Sequence, residues 1–419
     1  MIALYQNLHQ KSSQKEEKME KLIYRERRNT NCVKWDILGR KYNDPDLLSM
    51  WIADMDFAAP ECVREALKKY ADFGVFGYYL TPHDYTEEYL DWQERRHGVR
   101  PCPEWLRFVQ GGVTGIYLSI EAFSNGNDAV VCLTPAYPPF MAAPEVLGRR
   151  SVRCPLINNR GYYTIDYDAL ERMFREENPA MLIWCSPQNP TCRVWKEEEL
   201  LKVLEICRKY NVVILSDEIH QDLCQPGFDH IPVYAFEEYQ DLTVCMNSPA
   251  KTFNLAACQS ATLIIPDEKL RSRMDAVLLK AGKPVPTAFS QVAYQTAYAG
   301  GGEWLDSVLE MAGSNSAVFR EKLARAAPEV IISPQEGTYL LWVDLSAYLA
   351  PEETADFIVN ECKLALNPGR EFGGEEYGSF VRINMATSPE NVIRAADSII
   401  HALERREGQK QQFLPQHMN

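Results

Sequence analysis

The sequence predicts an α/β protein with a large domain on a mostly parallel sheet and a second, smaller α+β domain. Residues 128–133, 180–185 and 212–215 are short apolar runs typical of strands buried on both faces, and an amphipathic helix over 197–210 separates the last two. Strand–helix–strand alternation implies parallel pairing with right-handed crossovers. Beyond the glycines at 300–302 the pattern changes to a long helix followed by short strands, which indicates the second domain.

Length and composition are those of a globular protein. The chain has 419 residues, 46% of them hydrophobic, and its net charge of −14 argues against a nucleic-acid or anionic-membrane partner. Its 12 cysteines include no C-x-x-C pair, which predicts buried free thiols in a reducing, cytoplasmic compartment. The histidines lack metal-ligand spacing, so we expect no metal site, and no apolar run is long enough to span a membrane.

The distribution of polar and apolar segments suggests where the domains begin and end. The polar N-terminus lacks the apolar core of a signal peptide, and the C-terminus is also polar. We expect a flexible arm over 1–28, a small domain built from 29–59 and 300–403, a large domain over 60–299 and a flexible tail over 404–419.

The first elements of the chain lead from a loop to a helix. In residues 48–57 acidic and apolar side chains alternate, which indicates a strand end and a loop with the backbone of Ala53 beside a pocket; a half-buried edge strand is the alternative. A helix begins after Pro60 and continues to Tyr70. Tyr78 follows in an aromatic loop, where packing is the favoured interpretation and contact with a phosphate is the alternative.

A glycine-rich segment precedes the next helix, which we expect to run through Phe123. The backbone N–H groups of Gly112, Val113 and Thr114 would lie at the positive end of the helix dipole, where a phosphate binds well. An ordinary glycine turn is the alternative. The spacing matches neither the Walker A loop nor the dinucleotide-binding fingerprint.

Two further strands end in residues suited to a flat ring. Tyr137 follows the strand at 128–133 between prolines that stiffen its loop, and it could stack on a ring or pack in the core. Asn189 follows the strand at 180–185 in a turn that contains two prolines. It could donate to a phenolate oxygen or be a simple turn asparagine.

An acid and an amine suggest the chemistry. Asp217 ends the apolar run at 212–215, where ligands of open α/β sheets bind, although a helix N-cap is the alternative. Lys251 lies among apolar residues after another strand; a desolvated lysine is a nucleophile able to form a Schiff base, and an ordinary surface lysine is the alternative. Together they suggest pyridoxal 5′-phosphate (PLP), with Lys251 on the aldehyde and Asp217 at the pyridine nitrogen.

The smaller domain supplies one more candidate. We predict a helix over 304–327, strands over 330–333 and 339–345, a helix over 352–363 and a strand over 380–384. Arg382 lies between apolar neighbours in the last strand. Its guanidinium could bind a substrate carboxylate in a bidentate manner or form a structural salt bridge.

The order of these motifs resembles the PLP-dependent C–S lyases of fold type I, that is, the cystathionine β-lyase and cystalysin-like enzymes. The resemblance extends from about Lys34 to about Ala402. The segments that carry it are Trp-Ile-Ala-Asp-Met-Asp-Phe (51–57), Thr-Pro-Ala-Tyr (134–137), Cys-Ser-Pro-Gln-Asn-Pro-Thr (185–191), Ser-Asp-Glu-Ile-His (216–220), Ser-Pro-Ala-Lys-Thr-Phe-Asn (248–254) and Phe-Val-Arg-Ile-Asn (380–384). The first and fourth segments point to this branch rather than to the whole fold type.

The resemblance implies a mostly parallel seven-stranded sheet and roles for residues around the ring of PLP. Lys251 would bind the aldehyde and act as the catalytic base, and Asp217 would pair with the pyridinium nitrogen. Asn189 would contact the ring oxygen, Tyr137 would stack on the ring and take part in catalysis, and His220 would also contact the cofactor.

The resemblance also implies a phosphate site, a substrate site and an assembly. Ser248 and the backbone at Gly112-Val113-Thr114 would hold the phosphate, with Tyr78 reaching in from a second subunit of a homodimer with shared active sites. Arg382 would bind the α-carboxylate of an amino-acid substrate, near Ala53 and Asn189.

Three positions depart from the pattern of these enzymes. Ala250 stands where a second serine often precedes the lysine, which would remove a hydroxyl from the phosphate site. Cys192 stands where glycine usually continues the Asn-Pro-Thr turn. Gln259 stands where class I aminotransferases carry a phosphate-binding arginine, so the lysine segment offers the phosphate no cation.

The implied reaction is an α,β-elimination in which cystathionine or cysteine-type amino acids give pyruvate, ammonia and a thiol. An aminotransferase using the same residues is one alternative. A PLP-bound regulatory protein with incidental activity is another, which Ala250 and Cys192 leave open.

Overall fold

A computed structural model describes residues 20–412 of the chain, with side chains to residue 406. Its strands, in chain order, are β1 (Leu48–Ser49), β2 (Leu106–Val109), β3 (Ala129–Thr134), β4 (Arg150–Pro155), β5 (Ile157–Asn159), β6 (Tyr162–Thr164), β7 (Met181–Cys185), β8 (Val213–Asp217), β9 (Thr243–Asn247), β10 (Ala261–Ile264), β11 (Ile331–Ile332), β12 (Leu340–Asp344), β13 (Leu364–Ala365), β14 (Asn367–Pro368) and β15 (Phe380–Asn384).

Helices cover the strands and connect them. The α-helices are α1 (Val33–Asp36), α2 (Leu38–Tyr42), α3 (Glu61–Phe73), α4 (Asp84–His97), α5 (Gly112–Phe123), α6 (Pro139–Val146), α7 (Tyr167–Glu177), α8 (Glu197–Tyr210), α9 (Pro249–Thr252), α10 (Glu268–Lys280), α11 (Ala288–Gly300), α12 (Gly302–Ala326), α13 (Thr354–Asp356) and α14 (Pro389–Gln412). Short 3₁₀ segments lie at Pro103–Trp105, Val233–Ala235, Glu237–Leu242, Ala256–Cys258, Gly369–Phe372 and Glu375–Tyr377, and a π-helical turn at Phe357–Glu361.

The large sheet has seven strands in the order β2-β10-β9-β8-β7-β3-β4, and only β10 in it runs antiparallel to its neighbours. This confirms the predicted α/β class. The order places β7, β8 and β9 side by side, with Cys185 opposite Asp217 and Asp217 opposite Met246. The loops that follow these parallel strands therefore emerge at one edge of the sheet, where ligands of such folds bind.

The strand sequences explain why the sheet is buried on both faces. Successive side chains of a strand point to opposite faces, and in β3 Val131 and Leu133 join one core cluster, whereas Val130 and Cys132 join another. Every residue of β3, β7, β8 and β9 is buried. The continuous apolar runs in the sequence are the direct consequence of this double burial.

The smaller domain has a core of its own beneath a four-stranded antiparallel sheet ordered β11-β12-β15-β14. Register places Trp342 opposite Arg382, which puts the arginine near the middle of that sheet. Helix α12 confirms the long helix predicted at 304–327. The helix predicted at 352–363 is shorter, because α13 passes into the π-helical turn and the segment ends at Glu361. The predicted domain boundaries themselves stay a prediction.

The flexible arm and tail stay a prediction, and residues 413–419 of the tail lie outside the described residues, but the described parts of both segments are attached to the fold. Residues 1–19 lie outside the described residues, but residues 20–28 contact the fold: Tyr24 forms a β-bridge with Phe57, and the Arg25 N–H donates to the Asp56 carbonyl over 2.9 Å. At the other end α14 continues to Gln412. Main-chain pairing thus holds segments whose polar composition suggested mobility.

Some features of the described residues bear on the range of possible functions. All 12 cysteines are free thiols. Between residues 20 and 412 no helix combines the length and apolar character needed to cross a bilayer. In the same range, no group of three or more His, Cys, Asp or Glu side chains could hold a metal ion.

Candidate active site

A cavity of ≈ 470 Å³ opens where the carboxyl ends of the large sheet face the smaller domain. It brings together ten of the residues that the sequence singled out. These are Ala53, Gly112, Val113, Thr114, Tyr137, Asn189, Asp217, His220, Lys251 and Arg382. They come from both domains and from positions up to 329 residues apart in a chain of 419.

Asp217 lies at the end of β8 and is buried, with 3% of its surface exposed. Its Oδ1 accepts a hydrogen bond from the Ile219 N–H over 3.1 Å, and no described lysine, arginine or histidine forms an ion pair with it. Burial raises the pKa of Asp217 to about 7; the charge of Glu218 adds to this, whereas the Ile219 N–H and Lys251 oppose it. The charge of Lys251 therefore does not offset the cost of burying this carboxylate, which forms no direct ion pair among the described residues.

Lys251 occupies the short helix α9, directly after β9. Its Nζ donates to the Ala53 carbonyl over 2.6 Å, so the loop at residues 51–57 holds its amine at the cavity wall. Burial lowers the pKa of Lys251 to about 8; the Arg382 charge adds to this, whereas Asp54 and Asp217 oppose it. Near neutral pH a substantial fraction of the amine is uncharged and able to react as a nucleophile or a base.

Arg382 projects from the middle of β15 and is buried, with 4% of its surface exposed. Its guanidinium donates to the Asn189 Oδ1 over 3.0 Å and to the Trp51 carbonyl over 3.1 Å, and its Nε has no partner among the described residues. Burial lowers the pKa of Arg382 to about 10. No described carboxylate lies within salt-bridge distance of it, so the described residues do not provide the structural salt bridge considered from the sequence.

Three other predicted residues surround the middle of the cavity. The Asn189 Oδ1 is engaged by Arg382, and its amide nitrogen remains for another acceptor. His220 is buried, and burial together with the charges of Lys251 and Arg382 holds its pKa well below the usual range, so its ring is neutral. Burial also raises the pKa of the Tyr137 phenol, which stays protonated.

The opposite end of the cavity is formed by the start of α5. Its first N–H groups, at Gly112, Val113 and Thr114, have no acceptors within the helix and face the cavity. Gly111 has a φ of +90°, a conformation that favours glycine, and a Cβ there would lie 3.1 Å from the side-chain Oε1 of Gln259. The described lining residues at this end include no lysine or arginine.

Ser248, predicted to bind the phosphate, does not line the cavity. Its Oγ accepts from the Ala250 N–H over 3.0 Å and donates to the Ser260 carbonyl over 2.5 Å, so it caps α9. Ser260 lines the cavity instead, with a buried side chain. Ser260 could not be predicted from the sequence, because its position depends on how β10 pairs with β9.

Tyr78 also lies outside the cavity of its own chain. Its side chain is fully exposed, in a loop with several other exposed apolar side chains.

Two residues that contact the site, Asn367 and Tyr339, were not predicted from the sequence. Asn367 accepts from Arg382 over 2.6 Å, and the Tyr339 hydroxyl donates to the Ala53 carbonyl over 3.0 Å. Polar residues within apolar strands of the smaller domain were the available signal.

Comparisons of the sequence and of the structure with known proteins indicate the same family. The sequence model of the family "Aminotransferase class I and II" matches residues 45–399. Cystathionine beta-lyase PatB of Bacillus subtilis (strain 168) is 37% identical over 366 residues, which cover 87% of this chain and 94% of that protein.

Two solved structures are similar over nearly the whole chain. Cystalysin from Treponema denticola, which contains a pyridoxal 5′-phosphate cofactor, has a TM-score of 0.88 and 30% identity, covering 93% of this chain and 99% of its own. The PLP-bound C–S lyase from Staphylococcus hominis in complex with L-cycloserine has a TM-score of 0.85 and 30% identity, covering 91% and 98%. This chain therefore belongs to the class I and II aminotransferase family, and within it to the branch of the cystathionine β-lyases and C–S lyases.

Proposed function

We propose that this protein is a PLP-dependent C–S β-lyase that converts cystathionine- or cysteine-type amino acids into pyruvate, ammonia and a thiol. The observation that carries the proposal is the arrangement of three buried charges around one cavity. Within residues 20–406, Asp217 forms no ion pair with a cation and Arg382 forms none with a carboxylate, and Lys251 has a pKa of about 8. A cofactor with a basic ring nitrogen, a reactive aldehyde and an amino-acid partner would satisfy all three.

The residues present fit PLP. Asp217 would hold the proton on the ring nitrogen, which replaces the cation that the buried carboxylate lacks. The free amide of Asn189 and the buried ring of His220 would contact the ring oxygen, and Tyr137 would cover a ring face. The N–H groups of α5 and the Ser260 hydroxyl would hold the phosphate, because this end of the cavity offers dipoles rather than charges.

Lys251 is the catalytic base of this proposal. When bound, PLP supplies the aldehyde that captures the amino group and the ring that accepts electrons from Cα. The amine of Lys251 would remove the proton from Cα of the substrate, and its pKa of about 8 suits a base that works near neutral pH. As the Cβ–S bond breaks, the sulfur leaves as a thiolate, and the freed enamine hydrolyses to pyruvate and ammonia.

Arg382 positions the substrate. Its guanidinium is already oriented by the oxygens of Asn189, Asn367 and Trp51, so little freedom is lost when a carboxylate binds. Lys251 and Arg382 are the only lysine and arginine among the described lining residues. A substrate such as aspartate, whose side-chain carboxylate has no ammonium group of its own beside it as the distal end of cystathionine has, would find no further cation, and this favours a lyase over an aspartate aminotransferase.

The products distinguish the two activities. Purified protein with PLP would be incubated with L-cystathionine, L-cysteine and a panel of other amino acids. We expect pyruvate, ammonia and thiol in equal amounts without any added 2-oxo acid. Turnover that depends on an amino acceptor would instead identify an aminotransferase, and a tight protein partner with negligible turnover would favour a regulatory protein.

We also propose a homodimer with shared active sites, in a cytoplasmic compartment. The exposed Tyr78 lies in a loop with the exposed apolar side chains of Phe76 and Leu80, which favours contact with a second copy. Light scattering would give the oligomeric state, and Tyr78→Phe should weaken PLP binding if its hydroxyl reaches the partner's phosphate site. Free thiols at all 12 cysteines are compatible with a reducing compartment.

A further inference from the structure

The loop at residues 51–57 is the part of the site that the reaction above does not explain. Its Ala53 carbonyl accepts hydrogen bonds from both the Lys251 amine, over 2.6 Å, and the Tyr339 hydroxyl, over 3.0 Å. A carbonyl is an acceptor only, so it can keep the amine in place whether or not that amine carries an extra proton. The groups that hold the Ala53 carbonyl in place therefore influence the Lys251 amine, the proposed base.

Directly behind Ala53 lies a set of four charged side chains, Arg27, Lys34, Asp54 and Asp56, here termed the loop ion cluster. Arg27 forms a bidentate pair with Asp54 over 2.9 and 2.8 Å. The Lys34 Nζ lies 3.1 Å from the Asp56 Oδ2 and 3.5 Å from the Asp54 Oδ1. Lys34 and Asp56 are almost fully buried, with 1% and 0% of their surfaces exposed.

Burying such charges is not a strong source of stability. Desolvation of an ion pair often cancels its attraction, so apolar side chains of similar volume could fold as well or better. The position of the cluster, rather than its stability, is therefore the feature to explain. Its charges balance, with two cations and two carboxylates, but Asp54 is the member next to the residue that contacts Lys251.

Two asparagines hold the loop from either side. The Asn384 amide donates to the carbonyls of Ile52 and Asp54, each over 2.6 Å. The Asn254 amide, three residues after Lys251, donates to the Met55 carbonyl over 3.0 Å. These bonds clamp the main chain on both sides of Ala53, so the loop connects the cluster to the amine through a fixed geometry.

We propose that Arg27 and Asp54 are positioning residues, which fix the Ala53 carbonyl against the Lys251 amine and adjust how tightly that amine holds its proton. The proposal rests on the proposed role of Lys251 as the base, but it concerns only groups of this chain. The carboxylate of Asp54 favours the protonated amine, and Arg27 limits that effect by pairing with the same carboxylate. Their opposite charges predict opposite consequences when each is removed.

Several charged and polar groups face Lys251, and the charged ones shift its pKa. Burial and the Arg382 charge lower the pKa of Lys251, whereas Asp54 and Asp217 raise it. The neutral His220 and the protonated phenols of Tyr137 and Tyr339 add no charge. Removing the Asp54 carboxylate should therefore lower the pKa of Lys251, and removing Arg27 should raise it.

The experiment measures the pKa of Lys251 directly in the full-length protein without cofactor. Competitive acetylation across a pH series, read by mass spectrometry of the peptide that contains Lys251, reports the midpoint at which the amine becomes reactive. We expect Asp54→Asn to lower this midpoint and Arg27→Gln to raise it, each by roughly one pH unit. Asp46→Asn removes an equal charge at an exposed site elsewhere in the chain and should leave it unchanged.

The two variants distinguish an electrostatic change in the pKa of Lys251 from a general loosening of the loop. Midpoints that move in the same direction, or that do not move, would overturn the proposal. Arg27 is partly exposed, so Arg27→Gln should fold and can decide the question alone if Asp54→Asn does not. Because labelling requires neither PLP nor substrate, a wild-type protein without lyase activity would refute the proposed function and leave this measurement valid.

Discussion

The two ends of the cavity are built from different kinds of interaction. At one end buried charges dominate, with Asp217, Lys251 and Arg382 each lacking a permanent counter-ion among the described residues. At the other end, around the start of α5, the described lining residues provide N–H dipoles, the amide of Gln259 and the hydroxyl of Ser260. The charged end is therefore suited to chemistry and the dipolar end to holding an anion.

This difference predicts how each end tolerates change. A buried charge affects reactivity strongly, because in a medium of low dielectric its field is weakly screened. At the dipolar end several N–H groups together hold the anion, so the loss of one group has a smaller effect on binding. Substitutions should accordingly reduce catalysis most at the charged end and alter cofactor affinity by modest factors at the dipolar end.

Lys251→Ala should give the largest effect. It removes the base and the amine that captures the cofactor, so we expect pyruvate formation from L-cystathionine to fall by at least about 10³-fold and the absorbance of protein-bound PLP to be lost. Lys280→Ala, at an exposed lysine on α10, is the matched control. Turnover close to that of the wild type in the Lys251 variant would contradict the mechanism.

Asp217→Asn should lower catalysis but stabilise the protein without cofactor. The pKa of Asp217 is raised from 3.8 to about 7, so its ionisation penalises the folded state increasingly as pH rises from about 4 to 7. Asparagine cannot ionise. We expect kcat to fall roughly 10²–10³-fold with PLP, and the unfolding free energy of the cofactor-free protein to rise by about 2–4 kcal/mol at pH 8.

Chemical denaturation at pH 5 and pH 8 checks the second part of that prediction. The gain from Asp217→Asn should be clearly smaller at pH 5, where the wild-type carboxyl is mostly protonated in the folded state. An equal gain at both values of pH would mean that burial does not hold the acid in its neutral form. The effect of burial on ionisation would then no longer distinguish the charged end from the dipolar end.

The charged end was also the part of the site that could be predicted from the sequence. Asp217 and Arg382 each interrupt an apolar run, and such interruptions are visible without knowing any tertiary contact. The strands β3, β7 and β8 were predictable for the same reason, because burial on both faces leaves continuous apolar runs. Lys251 could be singled out because it lies among apolar residues directly after a strand.

The dipolar end and the chain termini could be predicted less well. Whether Ser248 or Ser260 faces the cavity depends on the cap of α9 and on the pairing of β10, which local sequence does not determine. The segment at 20–28 is polar and was expected to be mobile, but ion pairs of Arg27 with distant carboxylates hold it. Such contacts depend on the fold itself.

Arg382→Met tests whether the unpaired arginine serves binding rather than folding. We expect KM for amino acids to rise about 10–100-fold, from the loss of hydrogen bonds to a carboxylate, with a smaller change in kcat. The unfolding free energy should fall less than on breaking a buried ion pair, because the acceptors that lose a donor, the oxygens of Asn189, Asn367 and Trp51, are neutral. Steady-state kinetics and denaturation together measure both quantities.

Arg193 provides the matched control for that comparison. It is also buried, but it pairs with Glu336 and Glu199, each over 2.8 Å. Arg193→Met should leave these carboxylates without their cation and lower the unfolding free energy by about 3–5 kcal/mol. Equal destabilisation by the two substitutions would indicate that Arg382 is a structural residue.

Gln259→Arg would sharpen the contrast by adding a cation to the dipolar end. An arginine beside the start of α5 should tighten PLP binding roughly 10-fold, because a charge-assisted hydrogen bond to phosphate replaces an amide contact. Fluorescence titration gives the Kd, and Ser272→Arg, on an exposed face of α10, controls for net charge. Unchanged or weaker binding would place the phosphate elsewhere in the cavity.

The smallest effects should separate the two serines. Ser260→Ala removes a hydroxyl that lines the cavity and should raise the Kd for PLP about 3–10-fold with little change in Tm. Ser248→Ala removes the cap of α9 and should lower the unfolding free energy by about 0.5–2 kcal/mol, with the smaller change in Kd. The reverse pattern would return the phosphate contact to Ser248 and show that its Oγ leaves the Ser260 carbonyl when PLP binds.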